Sequence, residues 1–279
     1  MKKLFQIIGI MSLMGFSFFY TEKTIKVVKE YDDIMLELRE YSKNNKKECI
    51  NAIIKDNTII PGISGEEINI NKSYSKMKRY GKFEKSLIVK RRIKPKISIK
   101  NNKTKIIVKG NNSPKITLIF LVNENDKLDN IINILERKKI KANLFVDGYY
   151  LEKNTNMIID LIKKKYIIGN LSYNMDYRNQ DFIWIDNIIK KIGKQKEGYC
   201  YADNLNKNFK MCHNNNNYII KPSIIIKDNP YKEVKDNIEN GSIISFEINN
   251  KLEQELPIII NYIKSRGYEL YTLDNFLEE

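Results

Sequence analysis

The sequence predicts an α/β fold, a mainly parallel sheet or barrel with helices outside it. Two observations carry that expectation. From Lys115 to Leu273, short β-branched apolar runs alternate with amphipathic stretches, the rhythm of repeated βα units. The chain also has the means to fill a core: 279 residues, 42% of them hydrophobic, suffice for one ordinary domain plus an extension, or for two small domains. This composition excludes a disordered chain.

The elements follow in order. Lys2 and Lys3 precede an uncharged apolar run from Leu4 to Tyr20, the pattern of an export address. The run is just long enough to span a bilayer, and bulky Phe18, Phe19 and Tyr20 leave no small-residue cleavage site after it. Residues 1–20 are therefore read as a signal-anchor, giving a single-pass cell-membrane protein with its bulk outside the cytoplasm. A cleaved signal, hence a secreted protein, is the second reading, and a buried helix of a cytoplasmic protein the third. Residues 21–49 read as a stalk helix, with Ile25, Val28, Tyr31, Met35 and Leu38 recurring every three or four positions.

Residues 50–110 read as a small, basic, β-rich accessory region. Ala52-Ile53-Ile54 and Thr58-Ile59-Ile60 flank a turn at Lys55-Asp56-Asn57, and a short helix over Asn71–Tyr80 stops at Gly81. Between Lys76 and Lys109 stand fourteen Lys or Arg and one acid, a balance of +13 out of +15 for the whole chain. Such a block favours an anionic partner. Lys90, Arg91, Arg92, Lys94 and Lys96 are the candidate contacts. Outside a cell, that partner is a wall polymer or a lipid surface, and nucleic acid is not expected. A solvated lysine-rich face with no partner is the competing reading.

Beyond the linker Gly110–Pro114, the predicted strands are Lys115–Val122, Ala142–Val146, Ile167–Ile168, Ser223–Ile226, Ser242–Phe246 and Tyr268–Leu273. The predicted helices are Leu128–Lys139, Asn154–Lys165, Asp181–Ile192 and Leu252–Ser265. In such folds, ligands sit at the carboxyl ends of the strands. Cys49, Cys200 and Cys212 match no metal spacing; a Cys200–Cys212 bridge and two buried free thiols are both compatible with it. The one histidine, His213, excludes any mechanism that needs two histidines from one chain.

Three stretches resemble the polysaccharide deacetylase family, the NodB-homology carbohydrate esterases of family 4. Thr117-Leu118-Ile119-Phe120-Leu121-Val122-Asn123 is similar to the family's Thr-Phe-Asp-Asp-Gly strand, and Ala142-Asn143-Leu144-Phe145-Val146-Asp147-Gly148 to its following strand. Ile168-Gly169-Asn170-Leu171-Ser172-Tyr173-Asn174-Met175 resembles the Gly-Asn-His-Ser motif with its second His. Gly241–Glu247, a helix and Arg266–Leu273 resemble the family's ending. The likeness spans about residues 113–277 and implies a distorted (β/α) barrel of the polysaccharide deacetylase type over 111–279.

It also implies that the catalytic positions are degenerate. The base Asp falls on Leu121, the metal Asp on Val122, the two metal His on Leu171 and Met175, and the late-acting His on Glu247. The family's Arg motif should lie near Tyr199–Asn204, where no Arg stands. Hydrocarbon side chains offer no donor to a divalent ion, and a Met thioether is a poor zinc ligand. No metal and no cofactor are expected, and the former metal floor should be an apolar patch.

Among nearby polar residues, Asn123, Asp147, Tyr173 and Glu247 are candidate ligand contacts. Glu124, Asp126 and Asp176 are further loop carboxylates. Tyr173 and Trp184 are also candidates to stack on a sugar ring, with core packing the expected role of Trp184. The leading function is a deacetylase-like pseudoenzyme that binds a cell-wall glycan or a protein. The alternative is a divergent carbohydrate-modifying hydrolase, a deacetylase or another C–N bond hydrolase, built on a carboxylate pair. A nucleic-acid binder ranks third. Oligomeric state is not legible in the sequence.

Overall fold

The computed structural model describes residues 2–177, 180–195, 197–205 and 209–279; for residues 2–9, 22, 25, 26 and 28 it describes the helix but not the side chains. The elements begin with α1 (Lys2–Glu30), α2 (Asp33–Asn44), β1 (Ile53–Lys55), β2 (Thr58–Ile60), β3 (Gly65–Ile68), α3 (Ile70–Tyr80), β4 (Lys90–Ile93) and β5 (Ile106–Ile107). The alternating region runs β6 (Lys115–Val122), α4 (Asp129–Arg137), β7 (Asn143–Val146), α5 (Gly148–Lys153), α6 (Thr155–Lys163), β8 (Ile167–Asn170) and α7 (Asp181–Gly193). It continues with β9 (Gly198–Tyr201), α8 (Lys210–Asn214), β10 (Asn217–Ile220), β11 (Ile224–Ile225), α9 (Pro230–Asn237), β12 (Ile243–Glu247), α10 (Asn250–Ser265), β13 (Glu269–Leu270) and α11 (Leu273–Phe276).

The chain forms two compact units. One comprises residues 1–49 and 64–94, the other residues 50–63 and 95–279. The predicted boundaries differ from this. The hairpin β1–β2 and strand β5 do not belong to a separate accessory region; they extend the large sheet, β2 and β10 flanking β5 in parallel. The predicted break near residue 110 therefore falls inside the second unit.

In the first unit, α2 buries Met35 and Leu38 against Tyr74 and Met77 of α3 and against Ile68. Asp32 caps α2 by accepting from the Ile34 amide at 3.1 Å. Gly81, at φ 93°, ends α3 in the left-handed conformation that favours glycine. Strands β3 and β4 pair antiparallel, setting Glu67 opposite Arg91 and Glu66 opposite Arg92. Helix α1 carries the predicted anchor and the start of the predicted stalk without a break. Its described apolar residues, from Ile10 through Phe16 to Tyr20, are exposed. Among the described residues, no helix is long and apolar enough to cross a membrane; part of the predicted anchor, residues 2–9, lies outside the described side chains.

The second unit is a curled half-barrel. Its sheet order is β1-β2-β5-β10-β9-β8-β7-β6-β12-β11, with β13 also on β6. Every pairing except β1–β2 is parallel. Alternation along β6 shows how the sheet divides its surroundings. Ile116, Leu118, Phe120 and Val122 belong to the cluster shared with α4, α6, α7 and α10, whereas Ile119 and Leu121 belong to the inner cluster. That inner cluster holds Phe145, Tyr199, Tyr201, Tyr218 and Ile220, and Leu273 and Phe276 of α11 close it from below. Gly169 has to be glycine, because a Cβ there would lie 2.5 Å from the Phe145 ring.

Buried Asn143 fixes this base. Its Nδ2 donates to Thr117 Oγ1 at 2.8 Å and to the Leu118 carbonyl at 2.7 Å, and its Oδ1 accepts from the Leu273 amide at 2.7 Å. The predicted last strand, Tyr268–Leu273, is thereby shortened to Glu269–Leu270, because Leu273 already opens α11. Helices α5, α8, α9 and α11 and strands β3, β9 and β10 are not among the predicted elements.

Cys200 and Cys212 form a disulfide, joining β9 to α8 across a separation of 12 residues; Cys49 is free and half-buried. Replacing both bridge cysteines with Ala is expected to lower unfolding stability by about 3 kcal/mol, from the loop entropy returned to the unfolded chain. Urea titration of parent and variant measures this, and equal midpoints would show that the bridge adds nothing.

Candidate functional site

Because the strands run parallel, their carboxyl ends meet at one end of the half-barrel. The register aligns Leu121 with Glu247, and Val122 with Val146 and then Asn170. The positions singled out from sequence thus come together there: Leu121 and Val122 on β6, Asp147 after β7, Leu171 after β8 and Glu247 at the end of β12.

Their environment is hydrocarbon. Leu121 is 3% exposed, Val122 0% and Leu171 1%. Leu121 and Leu171 share the inner cluster with Phe145 and Tyr201, and half-buried Met175 packs on it. Val122 departs from the expectation. It belongs to the helix-side cluster, because adjacent residues of a strand face opposite ways. The apolar patch is therefore made by Leu121, Leu171 and Met175.

This donor set does not fit the divalent metal that the sequence resemblance implies. Among the described residues, no group of three His, Cys, Asp or Glu side chains converges to hold an ion. His213 stands apart in α8, where burial lowers its pKa.

Two of the predicted ligand contacts are engaged within the chain. Asp147 is buried, and both its oxygens are engaged. Oδ1 caps α5 by accepting from the Tyr149 amide at 2.9 Å, and Oδ2 accepts from the Asn174 amide at 2.8 Å. Tyr173 meets Tyr149 edge-on at 4.7 Å between ring centroids, and its hydroxyl donates to the Glu152 carboxylate. Burial, then that carboxylate, raises the Tyr173 pKa. Asn123 is exposed, its amide donating to Asp126 Oδ2 at 2.7 Å. Glu247 is exposed.

Side-chain carbonyl and carboxylate oxygens hold the loop after β8. Ser172, Asn174 and Met175 all take positive φ, at 57°, 51° and 57°. Asn170 Oδ1 accepts from the Ser172 amide at 2.6 Å, and Asp147 secures Asn174. One residue at this end was missed in the sequence. Tyr201, in the stretch where an Arg motif was sought, is buried, its hydroxyl 2.9 Å from Ser245 Oγ, and its pKa is pushed up to about 12 by burial. Asp126 has its pKa raised by burial first and by the nearby Glu247 charge as well. Glu124 is engaged by Lys153. Trp184 is 47% exposed on α7, not packed in the core as predicted.

The basic candidates belong to β4 and the segment that follows it. Lys90 pairs with Glu66 at 2.7 Å and Arg91 with Glu67, so neighbouring β3 neutralises part of the block. Lys94 and Lys96 are exposed.

No protein-family model matches the chain. The uncharacterized protein YlxY of Bacillus subtilis (strain 168) is 31% identical over 147 residues, 52% of this chain and 45% of that protein. The chain thus spans about half the length of the curated relative it matches. Wild-type BA3943 of Bacillus anthracis, described as a CE4 family pseudoenzyme, superposes with a TM-score of 0.66 at 19% identity, covering 89% of this chain and 96% of that one. A BA3943 mutant described as having restored enzymatic activity gives 0.68 at 18% identity, over 89% and 99%. The chain has the fold of these CE4-family structures.

Single substitutions Leu121→Asn, Val122→Asn and Leu171→Asn are each expected to cost about 1–3 kcal/mol, since each buries an amide without partners. Met175→Asn should cost less, because Met175 is half-buried. Chemical denaturation of the four variants tests the ranking, and four unchanged midpoints would mean that these side chains are solvated.

Proposed function

We propose that this protein is a membrane-tethered, extracytoplasmic deacetylase-like pseudoenzyme that binds cell-wall glycan at the cell surface. One observation carries the loss of catalysis: Leu121, Leu171 and Met175 pack together where a metal-dependent deacetylase must present donors. An ion cannot trade its hydration shell for hydrocarbon. The likeness to BA3943, itself described as a pseudoenzyme, supports the same reading.

The tether rests on α1. Lys2 and Lys3 open it, and the exposed apolar side chains of Ile10–Tyr20 call for an apolar environment. Exposed Lys94 and Lys96, with Arg92 on β4, supply positive charge for an anionic wall polymer.

A second reading has one observation in its favour. Asp126 and Glu247 lie close enough at the strand ends for the charge of one to raise the pKa of the other, and unlike carboxylates can divide acid and base roles. The reading is a divergent carbohydrate-modifying hydrolase.

Zinc content and acetate release from an acetylated wall glycan separate the two. The natural chain is expected to hold no stoichiometric zinc and to release no acetate. The fourfold variant L121D/V122D/L171H/M175H is expected to take up about one zinc per chain. Zinc and acetate release together in the natural chain would overturn the pseudoenzyme reading. Acetate release lost in Glu247→Gln, without zinc, would establish the second.

The tether has its own test. An exported-enzyme reporter fused after Glu279 should be active and should sediment with membranes. Activity in the soluble culture medium would mean cleavage, and an inactive fusion would place the chain in the cytoplasm.

A further inference from the structure

At the amino-terminal end of the strands, opposite the former catalytic end, lies a cavity of about 600 Å³. That size suits a small-molecule ligand. Its lining includes Lys139, Lys141, Lys163, Lys165 and Lys194, against one acid, Asp274. Asp274 is occupied, accepting from the Tyr199 hydroxyl at 2.6 Å. Lys163 pairs with Asp160 at 3.0 Å. Among the described residues, Lys139, Lys141, Lys165 and Lys194 form no ion pair.

Three of these lysines share an unusual backbone state. Lys139, Lys165 and Lys194 follow α4, α6 and α7 and adopt φ of 55°, 71° and 53°. Each sits in the same helix-ending turn, in which the next amide reaches back five residues: Ile140 to Leu135, Tyr166 to Leu161 and Gln195 to Lys190. That turn normally takes glycine, because a Cβ is disfavoured at positive φ. The chain follows the rule elsewhere. After α10 the same turn, closed from Tyr268 to Ile263, carries Gly267 at φ 81°, and Gly267 does not line this cavity.

A plain account exists for one such lysine, since a cation near a helix C-terminus is favoured by the dipole. It does not account for three lysines converging on one cavity while the helix end away from the cavity keeps glycine. The dipoles do not cancel the charge either. Three helix ends contribute roughly −1.5 charges in all, against a formal surplus of four cations in the lining.

Tyr166 adds a second, independent feature. It lines the cavity, is 2% exposed, and its hydroxyl has no hydrogen-bond partner. Buried hydroxyls without partners are uncommon in folded proteins. The Lys141 ammonium lies 4.5 Å from the centre of its ring. Burial pushes the Tyr166 pKa up to about 12, so at neutral pH the group remains a donor.

We propose that this lysine-rimmed cavity is a binding site for a phosphate-bearing ligand. Lysine ammonium groups are compact point charges that suit phosphate without the fork geometry by which arginine selects carboxylate. The inference does not depend on whether the opposite end is catalytic.

The test uses the full chain and the variant K139G/K165G/K194G. Glycine is the residue each of these turns favours, so the variant should melt no lower than the parent. Two probes distinguish the source of the phosphate: tripolyphosphate by titration calorimetry, and vesicles of phosphatidylglycerol in phosphatidylcholine by flotation. The parent should bind one of them in a salt-sensitive way, with affinity falling about tenfold or more in the variant. A loss seen with tripolyphosphate identifies a soluble phosphate, and a loss seen only with vesicles identifies a lipid headgroup. Equal affinity of parent and variant for both probes would overturn the proposal by assigning any binding to basic residues elsewhere. So would a parent that binds neither probe.

Discussion

The dry interior of the half-barrel is what the rest of the second unit depends on. It runs from Phe276 and Leu273 at the base, through Phe145 and Tyr201, to Leu121 and Leu171 at the carboxyl ends. Each fully buried Leu or Phe contributes about 1.5–3 kcal/mol relative to exposure. A metal centre at this end would tie neighbouring strand-end loops together through coordination. Here hydrocarbon contact links β6 to the loop after β8, while Asn170 and Asp147 hold that loop by accepting from backbone amides. The loop keeps three residues at positive φ, a conformation that is costly for Ser and Met. Its shape is therefore imposed by the surrounding hydrogen bonds and packing.

The alternating region was legible because its elements carry strong local patterns. Lys115–Val122 is a continuous apolar run, and it forms β6 with the predicted limits. Strands β9 and β10 hid because Gly-Tyr-Cys-Tyr and Asn-Tyr-Ile-Ile are short and mix polar with apolar residues, although both are wholly buried. The assignment of β1, β2 and β5 to the large sheet depends on parallel pairing with β10, more than a hundred residues from β5 along the chain, and no local pattern encodes such a partner.

At the site, residue identity was readable and orientation only partly so. That Leu121 and Leu171 are apolar follows from the letters. That Val122 turns to the helices follows from strand alternation, a rule available in the sequence but not applied to the last residue of β6. Asp147 had a readable signal as well, an acid directly before a helix start, which is the signature of an N-cap. The charge count of the basic block misled for a different reason. Glu66 and Glu67 lie outside it in sequence, yet antiparallel pairing brings them within ion-pair reach of Lys90 and Arg91. A tally along the chain cannot see partners that strand pairing brings across.

Hydrocarbon at one end of the half-barrel and charge at the other have unlike physical consequences. Side chains that fill the interior stabilise the fold whether or not anything binds. Four lysines without ion pairs do not, since they repel one another and three of them hold a backbone state that favours glycine by roughly 1 kcal/mol each. Folding alone gives no reason to gather them on one cavity while Gly267 serves the equivalent turn after α10. An anion seated among them converts that repulsion into attraction. The self-repulsion of the free site is then the reason for its affinity, because the cost of gathering the cations is already met before the ligand arrives.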